Sequence, residues 1–371
     1  MVYLDHNAST PLLPEALDAM LPFLTTHHAN PSSSHASGRM VRSALDSARA
    51  QVCEDLNAPD HQLIITSGAT EANTLALLGY KAGRRIISAG EHDSVWEAAH
   101  ATHQPVIWPL MSDGRLDWDR APVLMPGDLV SVMVVNNEFG TCYPLAEICA
   151  YAHAQGALVH TDATQALGKC AVDVMAMGVD ALTGSAHKMG GPKGVGFLLL
   201  KSPHLWSART FGGAQEFDLR AGTEPVAAMM GLAAALRAVT RSLPTRQQHF
   251  SLLQQSLEQA LVAEGAIILG QAGPRVGNTT MFIDPNLDGD MLRMQLDKCG
   301  VAVSSGAACR SQTPGDSRIL RALGLTAEQA QHVLRVSTGI DTTAEHITTF
   351  LTAYRQIHQK WTRREVIQHV G

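Results

Sequence analysis

A chain of 371 residues exceeds what one hydrophobic core ordinarily organises, and it predicts two domains, or one large domain with a smaller one appended. With 45% hydrophobic and 17% charged residues it has ample core for a globular fold, and its net charge of -6 is the wrong sign for a nucleic-acid binder. The opening MVYLDHN lacks a positive stretch leading into an apolar segment, and runs such as Leu129 to Val135 are too short to span a bilayer, so the expectation is a cytoplasmic protein without membrane or direct nucleic-acid contact.

From Leu63 onward, short apolar runs alternate with helical patterns: LIITSG, RRIISAG, PVIWPL, LVSVMVVNN, ALVHTDATQ, DALTGSAHK and VGFLLLK. Strands buried on both faces read as continuous Val/Ile/Leu runs, so this alternation predicts an α/β domain with a mostly parallel seven-stranded sheet and helices on both faces. After LIIT, the stretch SGATEAN turns a strand into a helix whose free N–H groups and positive dipole end would seat a phosphate. Thr70 could cap that helix, and ordinary capping is the plain alternative.

Next in the chain, Asp162 follows the run ALVH, which places its carboxylate at the C-terminal edge of a parallel sheet, where α/β proteins bind ligands; a helix N-cap is the alternative. DALTGSAHKMGGPKG then delivers Ser185, His187 and Lys188 ahead of a glycine-rich turn. A lysine there is usually solvated, but one between an apolar strand and such a turn is a Schiff-base candidate. Two long helical patterns follow, Glu224 to Ser242 and Thr245 to Glu264. A strand-helix-strand-helix order then predicts a smaller α+β domain from about residue 250. Within it, VSSGAACRSQTPGDS sets Cys309 in a polar loop, an odd place for a structural cysteine, and Arg310 beside it would favour the thiolate, or is simply solvated. The terminal helix, from about Thr343, carries a basic stretch read as a solvated face.

Six scattered cysteines (Cys53, Cys142, Cys149, Cys170, Cys299, Cys309) without a C-x-x-C pair predict free thiols in a reducing compartment and no dedicated zinc site. His92, His100, His103 and the His27-His28 pair, with no acid or cysteine cluster near them in sequence, are read as surface histidines rather than metal ligands. The phosphate seat, the acid and the lysine together are more specific than any one of them. Pyridoxal phosphate needs a helix terminus for its phosphate, a carboxylate to keep its ring nitrogen protonated and an amine for its aldehyde.

Nearly the whole chain resembles the class V aminotransferase superfamily, and within it the NifS/IscS-type cysteine desulfurases. The resemblance is carried by YLDHNAST, NPSSSH, TSGATEAN, EHDSV, VNNEFGT, HTDATQALGK, SAHKMGGPKG, RAGTEP, SSGAAC and LRVSTG. It implies the PLP-dependent fold type I, with a large cofactor domain over residues 12–249 and a small domain made of residues 1–11 and 250–371 that carries the Cys309 loop. By the same resemblance, Lys188 would hold the coenzyme covalently and move the substrate Cα proton. Asp162 would pair with the ring nitrogen, Gln165 with the ring hydroxyl, and His92 would stack on the ring. Ala69, Thr70, Ser185 and His187 would hold the phosphate, and Asn137 would contact the ring region.

Thr223 would reach the phosphate of a neighbouring subunit, which implies a homodimer. Asn30 and Arg335 match positions that hold the substrate carboxylate, a role suited to a planar guanidinium, although for Arg335 alone a surface salt bridge is the simpler reading. Cys309 would take sulfur from L-cysteine as a persulfide and pass it to a protein acceptor for iron–sulfur clusters, thiolated tRNA or DNA, or cofactors; it is the sole metal-related candidate, as a transient iron–sulfur ligand. A selenocysteine lyase, another enzyme of the same scaffold, or a sulfur-relay module that acts mainly by docking a partner are the competing readings. The chain departs from the longer-loop subgroup at Pro314-Gly315-Asp316-Ser317, where a Leu-Glu-Pro-Ser stretch is usual, and its C-terminus is short, so a standard iron–sulfur scaffold partner is not assumed.

Overall fold

The computed structural model describes residues 1–101, 103–305 and 317–369, with side chains up to residue 361. All seven apolar runs become strands of one sheet, in the order Gln62–Thr66, Gly196–Leu200, Ala181–Ser185, Leu158–Asp162, Leu129–Ser131, Arg85–Ser88, Val106–Trp108. The last five in that order pair in parallel. Gly196–Leu200 runs antiparallel to both neighbours, because the short connection from Ser185 to Gly196 returns the chain beside its own preceding strand. A parallel return would need a longer crossover.

Successive side chains of each strand enter different cores. Leu63, Ile65, Ile86, Val130, Val159, Leu182, Phe197 and Leu199 belong to one apolar cluster, and Ile64, Ile87, Leu129, Ala181, Leu198 and Leu200 to another on the opposite face. Both faces are therefore dry, which explains why the strands read as unbroken apolar runs rather than as alternation. The helices predicted near residues 144–155, 224–242 and 245–264 form as Leu145–His153, Val226–Arg241 and Leu243–Ala263. Two further helices, Pro14–Thr25 and Ala36–Asp55, precede the sheet; the pattern from Leu63 onward does not cover them.

Residue 250 lies inside the helix Leu243–Ala263 and not in a linker. Beyond it, Leu253, Leu257 and Leu261 pack into a third apolar cluster with Phe282, Leu334, Phe350 and Tyr354. That cluster lies on an antiparallel sheet of Ser304–Ser305, Val333–Ser337, Thr279–Ile283 and Ile267–Ile268. The first residues of the chain join it: Val2–Tyr3 pairs in parallel with Val301–Ala302, and Asp5 bridges to Ser337. The chain then passes along the C-terminal edge of the large sheet, where Thr10 Oγ1 donates to the His187 carbonyl (2.9 Å) and accepts from the Gly190 N–H (2.8 Å).

Candidate active site

A cavity of about 590 Å³ opens at that sheet edge. Among the residues lining it are Ala69, Thr70, His92, Asn137, Asp162, Gln165, Ser185, His187 and Lys188, all drawn from separate stretches of sequence. At one end, the helix Ala69–Gly79 begins with Gly68 in the cap position and no side chain capping it. Thr70 is thus inside the first turn and is not the cap residue that its sequence position allowed. Glu71 reaches back instead: its Oε2 accepts from the Ser67 N–H (2.5 Å) and its Oε1 from Arg220 Nε (2.9 Å). Burial alone would raise the Glu71 pKa, but these hydrogen bonds outweigh it and hold the carboxyl below its ordinary value.

Close approach of the backbone shapes this end. A Cβ at Gly196 would lie 2.6 Å from the Gly184 carbonyl oxygen and 2.7 Å from Gly68 Cα, so only glycine lets the strand pass beneath the helix start. Ser185, His187 and Lys193 stand around the uncapped N–H groups. Burial, then the neighbouring Lys188 and Lys193, lower the His187 pKa to about 4, which keeps its ring neutral at physiological pH.

The other end holds the acid. Asp162, 6% exposed at the end of its strand, accepts from Asn73 Nδ2 through Oδ2 (2.8 Å) and from the Thr164 N–H through Oδ1 (2.8 Å). Asn73 Nδ2 also donates to Ser94 Oγ (2.8 Å), and Ser94 Oγ lies 2.8 Å from His92 Nδ1, which accepts from the Ser94 N–H as well. His92 is therefore both the cap of the helix Asp93–His100, through Nδ1, and a wall of the cavity. Lys188 Nζ donates to the carbonyls of Asn7 (2.6 Å) and Ala8 (2.9 Å).

Three expected site residues are not among those lining this cavity. Asn30 and Thr223 are exposed, and Asn30 Oδ1 accepts from the Ser32 N–H (2.8 Å). Arg335 is 5% exposed, so it is no surface salt bridge. Its Nη2 pairs with Asp5 (3.0 Å), and its Nη1 with Glu138 (3.1 Å) and the Asn137 carbonyl (3.0 Å). Cys309 and Arg310, with Pro314 to Asp316, lie outside the described residues.

Sequence reading missed Asn73, which orients Asp162, and Asn7, on which the site's donors converge. Asn7 lies within YLDHNAST, but its contacts depend on a fold that returns the N-terminus to residues 165–188. It also missed Glu91, fully buried, whose Oε1 accepts from Ser88 Oγ (2.6 Å) and the Met133 N–H (2.9 Å). Burial first, with Asp162 adding to it, pushes the Glu91 pKa up to about 8.

The donor set fits a group with a phosphate at one end and a cationic aromatic nitrogen at the other. Unpaired helix-start N–H groups face a neutral histidine and two lysines, a buried carboxylate lies opposite, and Thr164 Oγ1 and Asn137 Oδ1 are buried with no hydrogen-bond partner among the described residues. A family model described as "Aminotransferase class-V" matches residues 2–350. The chain belongs to the class V aminotransferase family. It is 40% identical to a cysteine desulfurase of Cereibacter sphaeroides over 94% of each protein. Its structure resembles a solved NifS-like protein from Rickettsia africae ESF-5 (TM-score 0.88, 29% identity, 97% of this chain and 99% of that one). It also resembles a solved "SspA in complex with cysteine" (TM-score 0.76, 27% identity, 91% and 98%). The α/β fold with its mostly parallel sheet is that of this family.

Proposed function

We propose that this protein is a pyridoxal-phosphate-dependent cysteine desulfurase, which converts L-cysteine to L-alanine and takes the sulfur on Cys309. The observation that carries the proposal is the single cavity that unites Lys188, Asp162, Gln165 and His92 opposite an uncapped helix start. The desulfurase relatives support the substrate, and a cysteine complex of a similar fold agrees with it.

When bound, the coenzyme would supply an electron sink that acidifies the substrate Cα–H and weakens the Cβ–S bond. The chain's residues do the rest. Ala69, Thr70, Ser185 and His187 would hold the phosphate, and Asp162, fixed by Asn73 and Thr164, would keep the ring nitrogen protonated. Lys188 Nζ would carry the coenzyme and then move the Cα proton. His92, which lines the cavity, would stack on the ring. The Cys309 thiolate would attack the substrate sulfur. An S–S bond forms as the Cβ–S bond breaks, the electron pair stays on carbon, and after protonation alanine leaves and the enzyme holds a persulfide.

Asn30 and Arg335 are the proposed carboxylate ligands, and Arg335 would have to share its guanidinium with Glu138 and Asp5. A homodimer is part of the proposal. Thr223 and Asn30 face solvent in the single chain, and the helix Pro14–Thr25 exposes Leu17, Leu21 and Leu24 on one stripe. No single helix among the described residues is long and apolar enough to cross a membrane.

The test is the purified protein with L-cysteine. Wild type should show the visible band of a lysine-bound coenzyme and form alanine; Cys309→Ser should keep the band and form no persulfide. A colourless protein that makes no alanine would overturn the proposal, and undiminished alanine and sulfide production by Cys309→Ser would remove Cys309 from it.

A further inference from the structure

Behind the cavity stands a second lysine. Lys169 is 6% exposed, does not line the large cavity, and pairs with no carboxylate among the described residues. Its Nζ donates to Asn7 Oδ1 (2.9 Å) and to Gln165 Oε1. A buried amine satisfied by amide oxygens alone is expensive unless it organises its partners. Burial, then the cations Lys188, Arg335 and Arg246, push its pKa well down, opposed by Cys170. His6, whose pKa burial lowers, and Asp341 are the other titratable groups nearby, since both line a cavity of about 200 Å³ shared with Lys169 and Lys188.

Its partners have no freedom to turn over. Because Lys169 Nζ directs N–H groups to both Gln165 Oε1 and Asn7 Oδ1, Gln165 Oε1 faces Lys169 and Gln165 Nε2 faces away. One Nε2 hydrogen goes to the Asn7 carbonyl (3.0 Å), which leaves the other for the cavity that Gln165 lines. Asn7 is held in the same sense: its Oδ1 also accepts from Asn278 Nδ2 (3.1 Å), and its Nδ2 donates to the Asn137 carbonyl (3.1 Å) and to Thr279 Oγ1 (2.9 Å). The Asn7 carbonyl that receives Gln165 is also the one that receives Lys188 (2.6 Å). Asn278, Thr279 and Ser337, whose Oγ accepts from the Asn7 N–H (3.0 Å), belong to the smaller sheet and its approach.

We propose that Lys169 is a positioning residue: it fixes the Gln165 amide with its NH2 group toward the coenzyme and, through Asn7, fixes the carbonyl that aligns Lys188. This rests on the pyridoxal phosphate reading of the site. Loss of the Lys169 donor lets the Gln165 amide rotate and present oxygen to the ring oxygen. That favours the protonated form of the bound chromophore.

The experiment titrates the visible band of the coenzyme-loaded protein against pH for wild type, Lys169→Met, Gln165→Met and the double variant, with melting temperatures measured in parallel. Lys169→Met should move the midpoint up by about one unit, and in the Gln165→Met background the same change should move it by no more than about a third of that. A lower melting temperature with an unmoved midpoint would make Lys169 merely structural and overturn the proposal, as would equal shifts in both backgrounds. If Lys169→Met does not fold, Lys169→Gln is titrated instead, with the same two outcomes. Wild type that takes up no coenzyme would overturn the underlying functional reading, a result distinct from an unmoved midpoint.

Discussion

At one end of the cavity the donors come from two tight stretches, residues 67–71 and 185–194, as backbone N–H groups, short side chains and glycines packed against each other. At the other end, Asp162, Gln165 and Lys188 depend on Asn73, Lys169 and Asn7, and the Asn7 to Lys188 contact spans 181 residues of chain. The first end is built by backbone packing of these two stretches, braced by Thr10 at the His187 carbonyl and the Gly190 N–H. At the second, Gln165 and Lys188 meet the docked N-terminal segment through Asn7, and Asn73 and Thr164 hold Asp162. Binding of the phosphate and activation of the substrate should therefore be separable by mutation.

The largest expected effect lies at the second end. Lys188→Ala should lower turnover by at least about 10⁴-fold, because it removes both the covalent tether and the proton carrier, and the visible band should lose its resistance to dialysis. Coenzyme should still bind reversibly through the first end; a variant that binds none would tie the two ends together. Next, Asp162→Ala should lower kcat by about 10² to 10³-fold and leave Asn73 Nδ2 without its acid partner. Coenzyme affinity should fall far less than kcat, and equal losses measured by turnover and by equilibrium dialysis would contradict the division.

Gly196→Ala strikes the first end. Its Cβ would meet backbone at 2.6 to 2.7 Å, atoms that cannot swing aside, so the strand must move off the helix start. Thermal denaturation should show a loss of about 1–3 kcal/mol, and the coenzyme should dissociate several-fold faster with kcat of the fully loaded protein little changed. Unchanged retention would mean that the close approach of Gly196 to Gly68 does not shape the phosphate seat.

The same division explains what could be read from the chain alone. The strands were legible because both sheet faces are dry, and Asp162 and Lys188 because each sits where an apolar run gives way to turn residues. The helix start after LIIT was legible apart from one detail: Thr70 reads as a cap, whereas Gly68 takes that position and Glu71 supplies the back-reaching hydrogen bond. Arg335 looks like a surface residue in sequence because its acid partners Asp5 and Glu138 are distant along the chain. Asn7, Asn73, Glu91 and Lys169 lie within YLDHNAST, TSGATEAN, EHDSV and HTDATQALGK, but nothing local in those strings shows what each one contacts. Each does its work across the fold, where only tertiary structure decides which polar group meets which.

Glu91 gives the mildest expected effect on turnover and a distinctive one on stability. It is fully buried, contacts Ser88 and Met133 through one oxygen, and has its Oε2 unpartnered among the described residues. With a folded pKa of about 8 against 4.5 for the free side chain, it is protonated in the native state across neutral pH and ionised in the unfolded chain. The unfolded state therefore binds fewer protons between those values. The stabilisation is fully present below pH 4.5 and is lost as pH rises toward 8, with a slope approaching 1.4 kcal/mol per pH unit for one proton. Glu91→Gln keeps the shape and the acceptor oxygen but cannot ionise, so denaturant titrations of the variant should lack this fall between pH 5 and 8. The variant's advantage over wild type should grow toward the alkaline end. Parallel stability curves for the two proteins would mean that Glu91 is already charged in the fold, and a second anion would then stand beside Asp162 at the very end of the cavity that is to receive a protonated ring nitrogen.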